Sequence, residues 1–158
     1  MVIDKNNYKQ FIYDDGKTLY CSNKKITKIK YLPDSLKILN CYDNYLTSLP
    51  QLPDSLEVLY CENNNLTSLP ELPKSLRVLH CNNNNLISLP QLPKLLKGLH
   101  CYDNNLTSLP ELPDSLIVLY CKANDLPIQG DYINKKDINE FKHNLNQHEL
   151  INDILEKI

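Results

Sequence analysis

The stretch Leu69–Pro90 reads LPELPKSLRVLHCNNNNLISLP and places one cysteine between an apolar run and four consecutive asparagines. The same arrangement recurs along the chain, with each cysteine 20 residues after the previous one, at Cys21, Cys41, Cys61, Cys81, Cys101 and Cys121. Disulfide frameworks are not usually this regular, and no C-x-x-C pair occurs. A fixed period of this length predicts a solenoid, in which each repeat stacks on its neighbours.

Other columns of the sequence keep the same period. From the second cysteine onward, leucines precede the cysteine by two and by five positions, asparagine follows it by three, and leucine follows it by five. Each repeat therefore reads L-x-x-L-x-C-x-x-N-x-L-x-x-L-P-x-L-P-x-S. This resembles the leucine-rich repeat, L-x-x-L-x-L-x-x-N/C-x-L. The L-P-x-L-P tail is similar to the shortest repeats of that family, which occur in bacterial secreted effectors.

The repeat predicts which side chains form the core. In S-L-R-V-L-H-C the residues alternate as a strand requires, so Leu76, Leu79 and Cys81 should point inward, and Val78 and His80 outward. The resemblance implies a leucine-rich repeat solenoid of mostly β structure, with one curved parallel sheet on an open, concave face.

The four asparagines have different expected roles. Asn84 should point inward, where its amide can bridge the turns above and below, and Asn84→Ala should cost roughly 1–3 kcal/mol. Asn82, Asn83 and Asn85 are expected to face solvent or the surface of the turn.

The prolines decide the structure of the convex side. Pro70 and Pro73 forbid an α-helix there, and the spacing of Leu69 and Leu72 fits a polyproline II segment. The convex side should therefore be extended.

An exposed solenoid end needs a cap. Residues 1–14 are predicted to form an N-terminal cap, in which a strand over Tyr8–Tyr13 turns at Asp15-Gly16 and returns antiparallel into the first repeat. The effector family usually has a helical hairpin at this end, so the sequence departs from it here. Six repeats are predicted over residues 15–126, of which the first is degenerate.

Residues 127–158 are predicted to form a C-terminal helical cap. Asp137 and Glu140 resemble a capping box, and one helix face carries Ile138, Phe141 and Leu145. Asn146 and Glu149 could open a second helix, with one side formed by Leu150, Ile151, Ile154, Leu155 and Ile158. The alternative is that these helices dock a second protein.

Composition and motifs give little support to a catalytic function or to a nucleic-acid or membrane partner. The net charge of -2 gives no reason to expect nucleic acid or an anionic membrane as partner. Cys41-Tyr42-Asp43 and Cys101-Tyr102-Asp103 resemble the C-x-D of ubiquitin ligases fused to some effector repeats. Both cysteines fall in the core column, and the chain ends too soon for a separate catalytic domain. No catalytic residue and no cofactor are therefore expected.

A metal site is not expected either. His80 and His100 should lie on adjacent strands, about 5 Å apart at the backbone. No third ligand accompanies them, and two histidines alone make a poor zinc site.

The outward-facing columns are the best candidates for a binding surface, because aromatic residues beside an apolar stripe on an exposed sheet resemble contact anchors. The predicted protein-binding residues are Tyr20, Asn40, Tyr42, Tyr60, Glu62, Val78, His80, Gly98, His100, Tyr102, Val118 and Tyr120. The alternative is that branched residues and tyrosine simply suit strands. At Gly98 the missing side chain should leave a dent that a partner side chain enters, unless the glycine is ordinary drift between repeats.

The sequence therefore predicts a monomeric, non-catalytic protein that binds another protein through its concave face. Free core thiols favour a reducing compartment, the cytoplasm, which would be a host's if the chain is a bacterial effector or a viral protein. Two alternatives stay open. One is an effector-like or ligase-related enzyme fragment that uses an exposed cysteine, and the other is a structural module that self-associates.

Overall fold

The computed structural model describes residues 1–13, 16–127, 130–132 and 135–155, and the side chains of all of these except 135 and 147–155. Short strands follow one another along the chain, and one helix comes last. The elements are β1 (Val2–Ile3), β2 (Ile12–Tyr13), β3 (Thr18–Tyr20), β4 (Lys28–Ile29), β5 (Ile38–Asn40), β6 (Val58–Tyr60), β7 (Val78–His80), β8 (Gly98–His100), β9 (Val118–Tyr120), β10 (Asp131–Tyr132) and α1 (Lys135–Leu155).

The main sheet runs the length of the solenoid in the order β10-β9-β8-β7-β6-β5-β3-β2. Neighbouring strands from β3 to β9 are parallel, and each residue pairs with the residue 20 positions later, as Leu39 does with Leu59. Any other register would place the leucine and cysteine columns out of line, so the sequence period fixes the pairing. The predicted leucine-rich repeat solenoid is confirmed.

The core is a set of stacked columns inside the coils. Leu76, Leu79 and Cys81 are fully buried, as are their counterparts in the other repeats, and all six cysteines are free thiols. Val78 and His80 are half-buried on the opposite side of the sheet, as the alternation predicts. The L-P-x-L-P segments contain neither helix nor strand, so the predicted lack of an α-helix holds on the convex side, and the polyproline II backbone stays a prediction.

An asparagine ladder joins the coils behind the sheet. In the third full repeat, Asn84 Oδ1 accepts a hydrogen bond from the Leu66 N–H at 3.0 Å. Its Nδ2 donates to the carbonyl oxygens of Cys61 at 3.1 Å and Cys81 at 3.1 Å. Asn84 therefore bridges its own turn and the preceding turn. The prediction that its amide would also reach the following turn is wrong, because its side-chain hydrogen bonds within the described residues all go to these two turns. The same bonds recur at Asn44, Asn64, Asn104 and Asn124.

The prediction for Asn82 is wrong, because its side chain is only 4% exposed. The backbone ladder continues past the strand, with Asn63 N–H donating to the Asn82 carbonyl at 3.1 Å. Asn82 therefore stays in a row of the sheet, flanked one repeat away on either side by the longer side chains of Glu62 and Tyr102. Asn83 and Asn85 are exposed, as expected.

The N-terminal cap contains a shorter strand than predicted. Only Ile12–Tyr13 pairs antiparallel with β3, while Tyr8–Phe11 forms a 3-10 helix. This turn buries Phe11 and sets the Tyr8 ring 4.8 Å from that of Tyr31. A parallel pair, β1 with β4, was not predicted. Asp15 of the predicted turn lies outside the described residues.

The C-terminal helix α1 is continuous from Lys135 to Leu155, where the sequence suggested two helices. No proline or glycine interrupts these residues, so nothing in the backbone stops the helix at Asn146. Ile138, Phe141 and Leu145 are buried as predicted. The side chains of the second predicted face, and Ile158 entirely, lie outside the described residues. The cap boundaries at residues 14 and 127 stay predictions.

Candidate binding surface

The middle row of the concave face is a line of side chains just before each cysteine. Its members are Tyr20, Asn40, Tyr60, His80, His100 and Tyr120. The Tyr60 and His80 rings meet edge to face at 4.8 Å, the His80 and His100 rings stack at 3.8 Å, and the His100 and Tyr120 rings meet at 4.5 Å. Because the strands are in register, four consecutive rings form one continuous strip.

The two histidines are uncharged at neutral pH. Burial in the strip, together with the neighbouring His100, lowers the pKa of His80 from 6.5 to about 4. Burial also lowers the pKa of His100, although Asp131 opposes this. Each ring therefore offers one hydrogen-bond donor and one acceptor to a ligand, without a positive charge.

The row just after each cysteine contains Tyr42, Glu62, Asn82 and Tyr102. Burial raises the pKa of the Glu62 carboxyl, and its Oε2 has no hydrogen-bond partner among the described residues. The Oδ1 of Asn40 in the middle row is likewise buried without a partner in that part of the chain. Buried acceptors without donors are costly, so both atoms would gain from a donor that a ligand brings.

The row three residues before each cysteine is apolar and half-buried. It includes Ile38, Val58, Val78 and Val118, and Gly98 interrupts it. A Cβ placed at Gly98 would meet no atom within 4 Å, so this position opens onto free space. The concave face therefore has a dent at Gly98, between the side chains of Val78 and Val118. The role of this dent in binding stays a prediction.

The cysteines do not resemble reactive thiols. Burial and the neighbouring Cys21 hold the pKa of Cys41 well above its usual range, and burial with Cys81 and Cys121 does the same at Cys101. A nucleophilic thiol needs exposure and a lowered pKa. Neither C-x-D motif presents such a group.

Within the described ranges, no group of three or more histidine, cysteine or acidic side chains is placed to hold a metal ion. His80 and His100 stack face to face, and their ring planes differ by 8°. Ligand nitrogens on parallel stacked rings point side by side, so the pair does not converge on one ion.

Sequence reasoning missed a backbone requirement two residues after each cysteine. This position has positive φ in every repeat, between 50° and 55°, at Asn23, Asp43, Asn63, Asn83, Asp103 and Ala123. Asparagine and aspartate adopt this left-handed conformation more readily than other non-glycine residues. The signal was present in the sequence as an Asn/Asp column, which Ala123 alone breaks. The run of four asparagines thus serves different needs at each position.

Among the residues that the structure covers, no helix combines the length and apolar character needed to cross a bilayer. The helix α1 instead packs against the protein, since Ile138 and Phe141 are buried and the Phe141 ring lies 4.6 Å from the ring of Tyr132.

Comparisons with known proteins identify similar repeats. A family profile described as Leucine Rich repeats (2 copies) matches residues 54–94. No curated protein sequence matches the chain significantly.

Several solved structures share the fold. YopM from Yersinia enterocolitica WA-314 is 34% identical, with a TM-score of 0.69 over 78% of this chain and 28% of its own. The leucine-rich repeat domain of a Shigella effector is 32% identical, with a TM-score of 0.74 over 79% of this chain and 57% of its own. YopM from Yersinia pestis, a leucine-rich effector protein, is 28% identical, with a TM-score of 0.56 over 70% of this chain and 44% of its own. The chain thus spans less than two thirds of each of these structures.

Proposed function

We propose that this protein binds another protein through its concave face. The proposal starts from its leucine-rich repeats, which are similar to those of bacterial effectors. The similarity is to repeat modules, which favours a non-catalytic role. The twelve residues predicted from the sequence form the proposed contact surface.

The observation that carries this proposal is the strip of rings Tyr60–His80–His100–Tyr120. Ring centroids 3.8 to 4.8 Å apart make a continuous, preformed surface with both apolar faces and polar edges. Tyrosine, which forms the two ends of the strip, is among the residues most enriched at the energetic hot spots of protein interfaces.

The unpaired acceptors supply direction to the contact. Glu62 Oε2 and Asn40 Oδ1 flank the strip and lack donors among the described residues. A partner that brings an N–H or O–H to either atom would remove a cost already present in the free protein. The dent at Gly98 would take a side chain of the partner.

The mechanism is presentation of a rigid surface. The strands that hold the rings are tied by the parallel ladder in front and by the asparagine ladder behind. A preformed surface loses little ordering entropy on association, so more of the contact energy becomes affinity. The partner is a protein and not nucleic acid or membrane, and the chain acts as a monomer in a reducing compartment such as the cytoplasm of a host.

The test is affinity capture from lysate with the immobilised chain, compared with the Tyr60→Ala/Tyr102→Ala variant. Tyr45→Ala is the matched control, because Tyr45 is 55% exposed but lies outside the three rows. We expect a protein that wild type and control capture and the double variant does not. Equal capture by all three would refute concave-face binding, and a dimer in solution that the double variant abolishes would favour self-association instead.

A further inference from the structure

The fifth repeat carries a leucine where the other full repeats have serine. Six residues before the cysteine, Ser55 donates its hydroxyl to the carbonyl oxygens of Asp34 at 2.6 Å and Leu36 at 2.7 Å in the preceding coil. Ser75 makes the equivalent bonds one repeat later. Leu95 cannot donate, and its side chain is 47% exposed. Within the described residues, no donor replaces the serine at the carbonyl oxygens of Lys74 and Leu76.

An open groove lies at this position, on the edge of the solenoid where the convex side turns into the sheet. Its volume is about 760 Å³, and its apolar lining includes Leu72, Leu92, Pro93 and Leu95. Leu72 is half-buried, whereas the equivalent Leu52 and Leu92 are buried. At the groove, Leu72 is therefore partly exposed, whereas the leucine at the same position of the neighbouring repeats is buried.

Two cations, Lys74 and Lys94, line the groove, and a further cation follows each of them three residues later in the chain, at Arg77 and Lys97. All four are exposed, and in the described part of the chain none forms an ion pair. One acidic residue, Glu71, also lines the groove. We call Leu95 with these four cations the basic edge.

The charge of the basic edge is local. In the preceding repeat the positions of Lys74 and Arg77 hold Asp54 and Glu57, and in the repeat after Lys94 the position holds Asp114. Glu57 is paired with Lys37, and the pKa of its carboxyl is lowered first by Lys37 and also by the positive charge of Arg77 in the next repeat. A chain with a net charge of -2 thus places Lys74 and Lys94 in the lining of one apolar groove, with Arg77 and Lys97 nearby in the sequence.

We propose that the basic edge docks an acidic segment of a partner protein, with an apolar side chain of that segment in the groove. The carboxylates of an acidic segment would complement the charge of the four cations. The apolar lining and the chain's negative net charge favour a protein segment over a nucleic acid. The backbone N–H groups of the segment can donate to the carbonyl oxygens that Leu95 leaves unpaired. The basic edge lies outside the concave face, so this inference does not depend on the function proposed above.

The test uses purified full chain and fluorescence anisotropy at low ionic strength. The probe is a short fluorescein-labelled peptide of aspartate and glutamate with one central leucine. Its comparison peptides carry glycine at the centre or lysine in place of the acidic residues. A labelled single-stranded DNA of equal charge distinguishes a protein segment from any polyanion.

Two variants separate charge from apolar contact. Arg77→Glu/Lys97→Glu should weaken binding of the leucine peptide about tenfold or more, while Lys28→Glu/Lys30→Glu makes the same charge change on exposed residues of the first repeat and should act far less. Leu95→Ser should weaken the leucine peptide about fivefold or more but leave the glycine peptide unchanged. Because it restores the serine hydroxyl, Leu95→Ser should melt no lower than wild type.

Each alternative result overturns the inference. Equal losses in the two charge variants would mean a general field effect, and equal affinity for DNA would mean an unselective polyanion site. No binding of the leucine peptide by wild type, or Leu95→Ser acting equally on both acidic peptides, would remove the groove from the account.

Discussion

Replacing Asn84 with alanine should destabilise the protein more than any single surface change in the same turn. Asn84 is 7% exposed, and its amide makes four hydrogen bonds to backbone groups of its own and the preceding coil. The cost depends on which of those groups would keep another partner after the substitution.

Most of the carbonyl oxygens that Asn84 contacts would keep another hydrogen-bond donor after the substitution. The Cys61 carbonyl also accepts from Asn64 at 3.2 Å, and the Cys81 carbonyl from Asn104 at 3.1 Å, because each cysteine carbonyl between the ends of the ladder is shared by two asparagines. The Leu66 N–H has no such substitute, since Asn84 Oδ1 is the acceptor it uses. One stranded buried donor costs about 1–3 kcal/mol, and weakening three shared carbonyls brings the total to about 2–4 kcal/mol.

The assay is urea unfolding followed by circular dichroism, with Asn85→Ala as control. Asn85 is the exposed neighbour in the same turn, and its backbone N–H, which donates to the Leu66 carbonyl at 2.9 Å, survives the substitution. A difference below about 0.5 kcal/mol between Asn84→Ala and Asn85→Ala, the usual range of surface changes, would refute the reasoning.

Three further results are expected. Burial holds the pKa of Cys81 far above the usual range, so Cys81 should react with a bulky maleimide only as fast as the protein unfolds. Burial raises the pKa of Cys121 to about 11, so Cys121 should be the first cysteine that mass spectrometry finds modified. Ala123→Asn should raise the free energy of unfolding in urea by about 1 kcal/mol, because Ala123 has φ of 51°. His80 has a folded pKa of about 4, below 6.5, so stability is lost as pH falls from 6.5 towards 4. His80→Gln should reduce that loss by roughly 1–2 kcal/mol after allowance for solvent screening.

Each of these has a contrary outcome. Prompt reaction of Cys81 in the native protein would place that thiol outside the core. Ala123→Asn that fails to stabilise while Asn63→Ala also fails to destabilise would remove the left-handed turn as a constraint. Parallel stability curves of wild type and His80→Gln between neutral and acidic pH would show that the ring is not held neutral by burial.

The core could be predicted from the sequence because every repeat solves the same packing problem. Leu79 and Cys81 occupy columns that recur 20 residues apart, and only one strand register keeps those columns inside. The inward Asn84 followed from the same periodicity, as its buried amide confirms. Periodicity averages over repeats, so it identifies what all of them share.

The caps could not be predicted as well, because they occur once. The 3-10 helix at Tyr8–Phe11 depends on tertiary contacts, such as the Tyr8 ring against Tyr31, which no repeat of the sequence reveals. The strand β10 is likewise set by its pairing with β9, with Asp131 opposite Tyr120. The continuation of α1 through Asn146 shows that a polar pair suited to a helix start does not by itself interrupt a helix.

The concave face lies between these cases. The register that aligns the core also places His80 against His100 at 3.8 Å, so the stack follows from the period once both residues are histidine. Stacking removes water from both rings and lowers their pKa, so the strip carries no positive charge at neutral pH although two of its four rings are basic. The exposed cationic side chains of these middle repeats are instead Lys74, Arg77, Lys94 and Lys97. A partner that covers both surfaces would therefore be selected by ring contacts and hydrogen bonds on the concave face and by its acidic residues at the edge.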